Sequence, residues 1–349
     1  MVSAAGSRPG RLGVGVVGAG RVGAVLGSAL RATGHAVVGA SGVSDASRDR
    51  IETLLPGVPV LEVPQVVERA ELVLLAVPDD ALGDLVRGLA DVGAWQPGQI
   101  VVHTSGRYGT AVLDPARAAG AIPLALHPAM TFTGTSLDLA RLEGTTFAVT
   151  APGPVLPIGQ ALVVELGGEP VVVAEESRGL YHAALAHGAN HLVVLVAQAA
   201  QALEAAGVDQ PGRALAPLLA AALDGATRGA DAGAESGTGA GAGALLGLTG
   251  PVVRGDVGTV REHLAALDAL AATSDAADVP PSYRALSRAA THRALAGGRL
   301  DERTARAVLD ALDEGADVGH ERPRAERPGL PEHIASHDER DQHDDEGTA

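Results

Sequence analysis

Short apolar runs separated by longer Ala- and Leu-rich stretches organise the first half of the chain. "LGVGVVGA", "HAVVGAS", "ELVLLAVP", "QIVVHTS" and "AIPLALHP" show little polar–apolar alternation, so they read as strands covered on both faces. Helical patterns lie between them, which predicts a parallel sheet with helices on either side. "TFAVTA" and "EPVVVAE", flanking a helix near 155–166, read as its last strands. After Glu176 the strand signals stop. Helices are expected at 177–206, 213–228, 259–271, 281–296 and 301–314. The pattern predicts an α/β fold: a Rossmann-type doubly wound parallel sheet over 11–174, then an all-α domain over 175–315.

Three segments fall outside this pattern. Residues 1–10 are rich in Ser, Gly and Pro and are expected to be disordered. "GADAGAESGTGAGAG", 229–243, is low in complexity and reads as a flexible loop. Beyond Gly315, ten acids stand against four Arg, so 316–349 reads as a disordered acidic tail with solvated histidines.

Composition narrows the chemistry. The 349 residues suffice for two cores, and with only 2% aromatic residues those cores must be built from Ala, Val and Leu. Cys is absent, which removes disulfides, thiolate chemistry and Cys-based zinc sites. All 26 basic residues are Arg, so no Lys can serve as a catalytic acid. A net charge of −16 argues against nucleic acid or an anionic membrane as partner. No uninterrupted apolar run approaches the ~20 residues of a membrane span, and the chain reads as soluble and cytoplasmic.

Gly18, Gly20 and Gly23 form G-x-G-x-x-G between the first strand and the helix after it. The first glycine permits a tight turn, the second lets a pyrophosphate approach the backbone, and the third lets helix and strand pack closely. The segment from Gly18 through Ala19, Gly20, Arg21 and Val22 to Gly23 is therefore a dinucleotide cradle, with the diphosphate on the free N–H groups of the helix. An NAD site usually carries an acid at the end of the second strand; here stands Ser41, followed by Ser44, Arg48 and Arg50. Hydroxyls and guanidinium groups suit a 2′-phosphate, so NADPH is the expected cofactor, although Asp45 would suit NAD if it folded back. In "AVPDDAL", Val77 and Pro78 are expected to line the cofactor's path, with Asp79 and Asp80 capping the next helix.

Polar groups then gather at the ends of elements. "VVHTSGRYG" presents His103 and Ser105, and "LALHPAMTF" presents His127. On the first long helix of the second domain, His182 and Asn190 are eight apart and share one broad face, about 80° from each other. His187 and His191 face elsewhere. An Asn among Ala, Leu and Val in a helix core is costly unless it is satisfied. "LTGPVVRGDVGTVREHL" places Thr249 and Arg254 in a loop before a helix whose capping box is Thr259 and Glu262.

The order of GAGRVG, AVPDDAL, VVHTSG, LHPAMTF, YHAALAHGAN, LTGPVVRGD and PPSYRAL over residues 11–296 resembles a bacterial family that joins a Rossmann domain to a helical domain of unknown function. That family is similar in architecture to ketopantoate reductases, pyrroline-5-carboxylate reductases and β-hydroxyacid dehydrogenases, and some relatives resemble the PanG-type ketopantoate reductases of pantothenate synthesis. In β-hydroxyacid dehydrogenases a Lys precedes an Asn by one turn on the interdomain helix; Asn190 can match the Asn, but Ala186 stands where the Lys would be. Family members also often carry Arg directly after the Ser that ends strand two, where this chain has Gly42.

Carbonyl reduction needs a proton donor near the oxygen and a site for the carboxylate. Without Lys the expected donor is His127, then His182, then His103. Asn190 would orient the carbonyl, Ser105 and Thr249 would wall the site, and Arg254 would fork a carboxylate. No His–carboxylate pair has metal-ligand spacing, so no metal is expected. The reading is an NADPH-dependent reductase of a small 2-oxo acid, 2-dehydropantoate foremost, acting as a homodimer through the helical domain. The alternatives are a pyrroline-5-carboxylate-type imino acid reductase and a non-catalytic NADP-binding sensor or assembly protein.

Overall fold

The computed structural model describes residues 11–314, so the expected disordered ends lie outside the described residues. Seven strands form one sheet: β1 (Gly13–Val17), β2 (Ala36–Ser41), β3 (Leu72–Leu75), β4 (Ile100–His103), β5 (Ile122–Pro128), β6 (Thr146–Thr150) and β7 (Glu169–Val172). Their order is β2-β1-β3-β4-β5-β6-β7. Strands β1 to β5 are mutually parallel, so Val17, Leu75, His103 and Pro128 all end at one sheet edge. Beyond β2, among the described residues, only an isolated bridge, Ala40 to Val60, marks where a further strand would pair.

Seven helices belong with the sheet: α1 (Arg21–Ala32), α2 (Asp45–Leu54), α3 (Val63–Arg69), α4 (Asp79–Asp91), α5 (Asp114–Ala118), α6 (Leu137–Arg141) and α7 (Leu156–Glu165). The weak alternation of the strands has its cause here. Leu72 and Leu74 pack into a cluster with Val14, Val16, Leu26, Leu30, Leu126 and Leu162. Their neighbours Val73 and Leu75 pack on the opposite side with Val17, Val66, Val86 and Trp95. Both faces are covered, as a doubly wound sheet requires.

The sheet departs from all-parallel at one place. β6 runs antiparallel to β5, with Ala148 opposite His127, while β7 is again parallel to β6. A parallel return needs a crossover that spans the sheet, usually a full helix, and the link from β5 to β6 carries only the five-residue α6.

Helix α8 (Arg178–Ala205) follows, then α9 (Pro211–Glu235), α10 (Ala240–Ala244), α11 (Pro251–Arg254), α12 (Val257–Thr273), α13 (Val279–Ala296) and α14 (Glu302–Asp313). The chain divides into two compact units inside α8, the first ending at Leu195 and the second beginning at Val196. The second unit has its own core, in which Val252, Val260 and Leu264 meet Val308 and Leu312.

Three local expectations need correction. Residues 229–243 are not a loop, because α9 continues to Glu235 and α10 packs against it. A Cβ on Gly233 would stand 2.6 Å from the Gly239 carbonyl oxygen and 2.9 Å from Gly243 Cα. The glycines allow two helices to touch; they do not supply slack. α12 is capped by Asp256, whose carboxylate accepts from Thr259 N–H at 3.2 Å and from the Thr259 hydroxyl at 2.7 Å, so the helix starts before the expected box. Asp79 and Asp80 lie in the first turn of α4 and cap nothing with their side chains, although their charge suits the helix N-terminus.

One helical stretch, Glu175–Ala205, is long and apolar enough by length and composition to cross a membrane. His182, His187, Asn190, His191 and Gln198 interrupt it, which is why no unbroken apolar run marks it in the sequence.

Candidate functional site

The glycine segment after β1 has the shape its spacing predicts. Gly18 sits at φ +85°, and a Cβ there would lie 2.7 Å from the Ala76 carbonyl oxygen. At Gly23 a Cβ would strike the Gly18 carbonyl. Gly20 differs, since nothing lies within 4 Å of where its Cβ would be. The loop is thus closed behind Gly18 and Gly23 and open over Gly20, the side on which α1 presents its first N–H groups. This cradle fits a dinucleotide diphosphate. Ala19 is buried, while Arg21 is exposed at the mouth. Val77 is half-buried against the glycine turn and Pro78 is exposed beside it, both just past the end of β3.

Ser41 faces inward. Its hydroxyl accepts from Gly18 N–H at 3.2 Å, and its carbonyl accepts from Ala19 N–H at 2.8 Å, so it shapes the cradle rather than reaching outward. Ser44 caps α2. Arg48 turns to Asp45 at 3.5 Å on the surface. Arg21 and Arg50 instead border one glycine: a Cβ on Gly134 would be 2.8 Å from Arg21 Cγ and 2.8 Å from Arg50 Nε. Buried Asp138 holds that loop by accepting from Thr133 and Gly134 N–H, each at 2.7 Å.

At the same sheet edge, β5 delivers His127 and the start of α8 delivers Tyr181 and His182. His127 Nδ1 and the Tyr181 hydroxyl are 3.0 Å apart. The His127 ring meets Tyr181 and His182 edge-on, at centroid distances of 5.6 and 6.1 Å. His127, His182 and Asn190 line one open cleft of about 380 Å³, together with Met130, Thr131 and Ala186. Three side chains chosen from two separate segments thus share a cavity. Asn190 is exposed on the cleft wall, so it carries none of the burial cost expected for a core Asn.

Arg178 lies behind the cleft, fully buried, and gives no sign in the sequence except as an Arg opening an apolar helix. Its guanidinium donates to Thr150 Oγ1 at 2.8 Å and to the carbonyls of Ala125, Ala148 and Ser105 at 2.9, 3.0 and 3.3 Å. Every partner is neutral. Burial holds its pKa below the usual arginine range, yet guanidinium remains charged at such sites. Burial first, and then the Arg178 charge, lowers His127 to about 4, so His127 is neutral at pH 7.

The remaining expected residues take other places. His103 is fully buried, bonds through Nε2 to the Gly109 carbonyl at 2.8 Å and accepts from Ser105 N–H through Nδ1. Burial also pushes it to about 4. It braces the turn after β4. Ser105 is buried in that turn, its hydroxyl accepting from Tyr108 N–H, and it does not line the cleft. Glu175 clasps the same turn, accepting from Thr110 and Ala111 N–H at 2.7 and 3.1 Å. Thr249 and Arg254 are exposed in the second unit, before and at the end of α11.

Residues 2–128 match the family described as a Rossmann-like domain, and residues 145–290 match a domain of unknown function, DUF2520. No curated protein matches the chain by sequence. Among solved structures it is similar to a Bacteroides fragilis protein with a provisional assignment as an NADP oxidoreductase, at 20% identity and TM-score 0.61, over 80% of this chain and 98% of that one. It is similar to an imine reductase from a Pseudomonas species at 19% identity and TM-score 0.59, over 87% of this chain and all of that one. An imine reductase from Myxococcus stipitatus in complex with NADP+ gives 17% identity and TM-score 0.58, over 86% and 99%. At these identities the likeness establishes the fold.

Proposed function

Since the chain joins a Rossmann-like domain to a DUF2520 domain, we propose that it is an NADPH-dependent reductase of a small 2-oxo acid, with 2-dehydropantoate the foremost candidate. One observation carries this reading: His127, His182 and Asn190 line a single cleft at the sheet edge where the glycine cradle also opens. Reduction places the reacting carbon within about 3–3.5 Å of its hydride source, so cleft and cradle must share an edge. When bound, NADPH supplies the hydride. Arg21 and Arg50, which both border Gly134, would receive its 2′-phosphate, the feature that distinguishes it from NADH.

The chain's own groups divide the remaining work. Neutral His127 offers a hydrogen bond to the carbonyl oxygen and does not act as an imidazolium acid, because its pKa lies near 4. The proton that completes the alcohol comes from His182, which faces the cleft beside it, and water restores it. Asn190 orients the substrate from the facing wall. The likeness to imine reductases makes a cyclic imino acid the second reading.

Leu180 and Val193 on α8 are 77% and 70% exposed, and Val194 and Leu195 are exposed beside them. An apolar face of this kind calls for cover, and the cover proposed is a second copy of the chain. The polar side chains along α8 suit a protein partner better than lipid. NADPH oxidation with a panel of 2-oxo acids and cyclic imines tests the reading.

A further inference from the structure

We propose that Tyr181 is a positioning residue that holds His127 in its Nε2–H tautomer, so that the cleft selects a reacting group able to accept a hydrogen bond, a carbonyl oxygen, over an iminium cation. The substrate preference rests on the reductase reading above; the tautomer rests on the geometry and burial of the His127–Tyr181 pair.

A neutral imidazole has one donor nitrogen and one acceptor nitrogen. In His127 the phenol of Tyr181 occupies Nδ1 at 3.0 Å. A phenol is the stronger donor of the pair and an imidazole nitrogen the stronger acceptor, so the bond runs from Tyr181 O–H to Nδ1. Burial keeps the phenol protonated by raising its pKa, which leaves the donor in place at every physiological pH. The ring proton must then sit on Nε2. Among the described residues nothing accepts a hydrogen bond from Nε2, and the ring lines the cleft. Gly106 lies beside that nitrogen and brings no side chain to it; a Cβ there would stand 3.0 Å from Nε2.

A free Nε2–H serves a carbonyl oxygen, which has lone pairs to offer. An iminium nitrogen has none and carries its own proton. Charge acts in the same direction. The hydrogen-bond partners of buried Arg178 are four neutral oxygens, with the Glu175 carboxylate in range but not bonded to it, and Arg178 lies close enough to depress His127. Asp79 opposes it at longer range as a weaker influence on the same ring. The Arg178 charge behind the cleft favours the carboxylate of an oxo acid.

The experiment is nitrogen-15 NMR of the histidine rings in the full-length protein at pH 7, with His127 assigned from the spectrum of His127→Gln. The expected result is a pyrrole-type Nε2 and a pyridine-type Nδ1 in the wild type, moving toward a tautomer mixture in Tyr181→Phe. Tyr181→Phe should also lower kcat about 10-fold on the 2-oxo acid, leave NADPH affinity unchanged, and narrow the preference for oxo acid over cyclic iminium. A wild-type ring protonated on Nδ1, or a ring that Tyr181→Phe leaves unchanged, overturns the tautomer assignment. A higher kcat/KM on the iminium than on every oxo acid overturns the selectivity. An Nε2–H ring in a protein that reduces nothing would instead sink the reductase reading and leave the tautomer standing.

Discussion

Gly106 and His182 stand so close that a single added methyl would part them: a Cβ on Gly106 would lie 2.6 Å from His182 Cδ2. The same Cβ would press on His127 Nε2 at 3.0 Å. The glycine that ends the HTSG segment is therefore the floor of the histidine pair. Gly106→Ala should displace both rings and lower kcat by about 10²-fold, in line with misplacement of reacting groups by an ångström. NADPH affinity should stay within a factor of two or so, because the cradle is built by other residues. Titration of NADPH fluorescence beside steady-state rates checks both, and normal turnover in Gly106→Ala would mean the rings are not the reacting groups.

The cradle makes a second expectation concrete. Gly20→Val fills the open space over the loop and should abolish NADPH and NADH binding alike. Arg50→Ala should weaken NADPH by about 10-fold with little effect on NADH, since a charge-assisted bond to phosphate contributes about 1.5–3 kcal/mol. Arg48→Ala, on a residue turned toward Asp45, should do less. Equal losses for both cofactors in Arg50→Ala would remove the 2′-phosphate from that place.

Acid should destabilise the first unit through two histidines. His103 and His127 are each lowered from 6.5 to about 4, burial being the main cause. Unfolding returns them to their ordinary range, so between those values the unfolded chain binds more protons than the folded one. Their contribution is complete above pH 6.5 and is lost as pH falls toward 4, by about 1.4 kcal/mol per pH unit for each histidine. Urea unfolding at pH 7, 6 and 5 measures this slope. A flat profile would show that both rings take up protons alike in the folded and unfolded chain.

The proposed dimer rests on the exposed apolar face of α8. Light scattering at micromolar concentration should give twice the 34.8 kDa chain mass for the wild type, and Val193→Asp should shift the protein toward monomer. A wild-type monomer at that concentration would contradict the proposed partner.

How much of this was legible in the chain depends on the kind of signal. Unbroken apolar runs such as LVLL expose a doubly covered strand directly, and the glycine spacing of 18, 20 and 23 marks the cradle because only backbone geometry is involved. His127, His182 and Asn190 were accessible because strand ends and helix faces can be counted. The direction of β6 was hidden, as it depends on how a 129–145 link folds. Arg178 and Tyr181 were hidden too, since their importance comes from carbonyls and a ring contributed by distant strands. His103 and Ser105 misled for the same reason: each looks like a site residue until its neighbours across the β4 turn are known. The 229–243 stretch misled because glycine serves slack chain and close helix packing equally well.

Steady-state oxidation of NADPH by the full-length protein against 2-dehydropantoate, other small 2-oxo acids and pyrroline-5-carboxylate decides whether the chain is a 2-oxo acid reductase. Turnover with a 2-oxo acid is expected, faster with NADPH than with NADH, and reduced about 10²–10⁴-fold in His182→Gln, the scale of losing a general acid. Turnover of the cyclic imine alone, a preference for NADH, or undiminished rates in His182→Gln would contradict it.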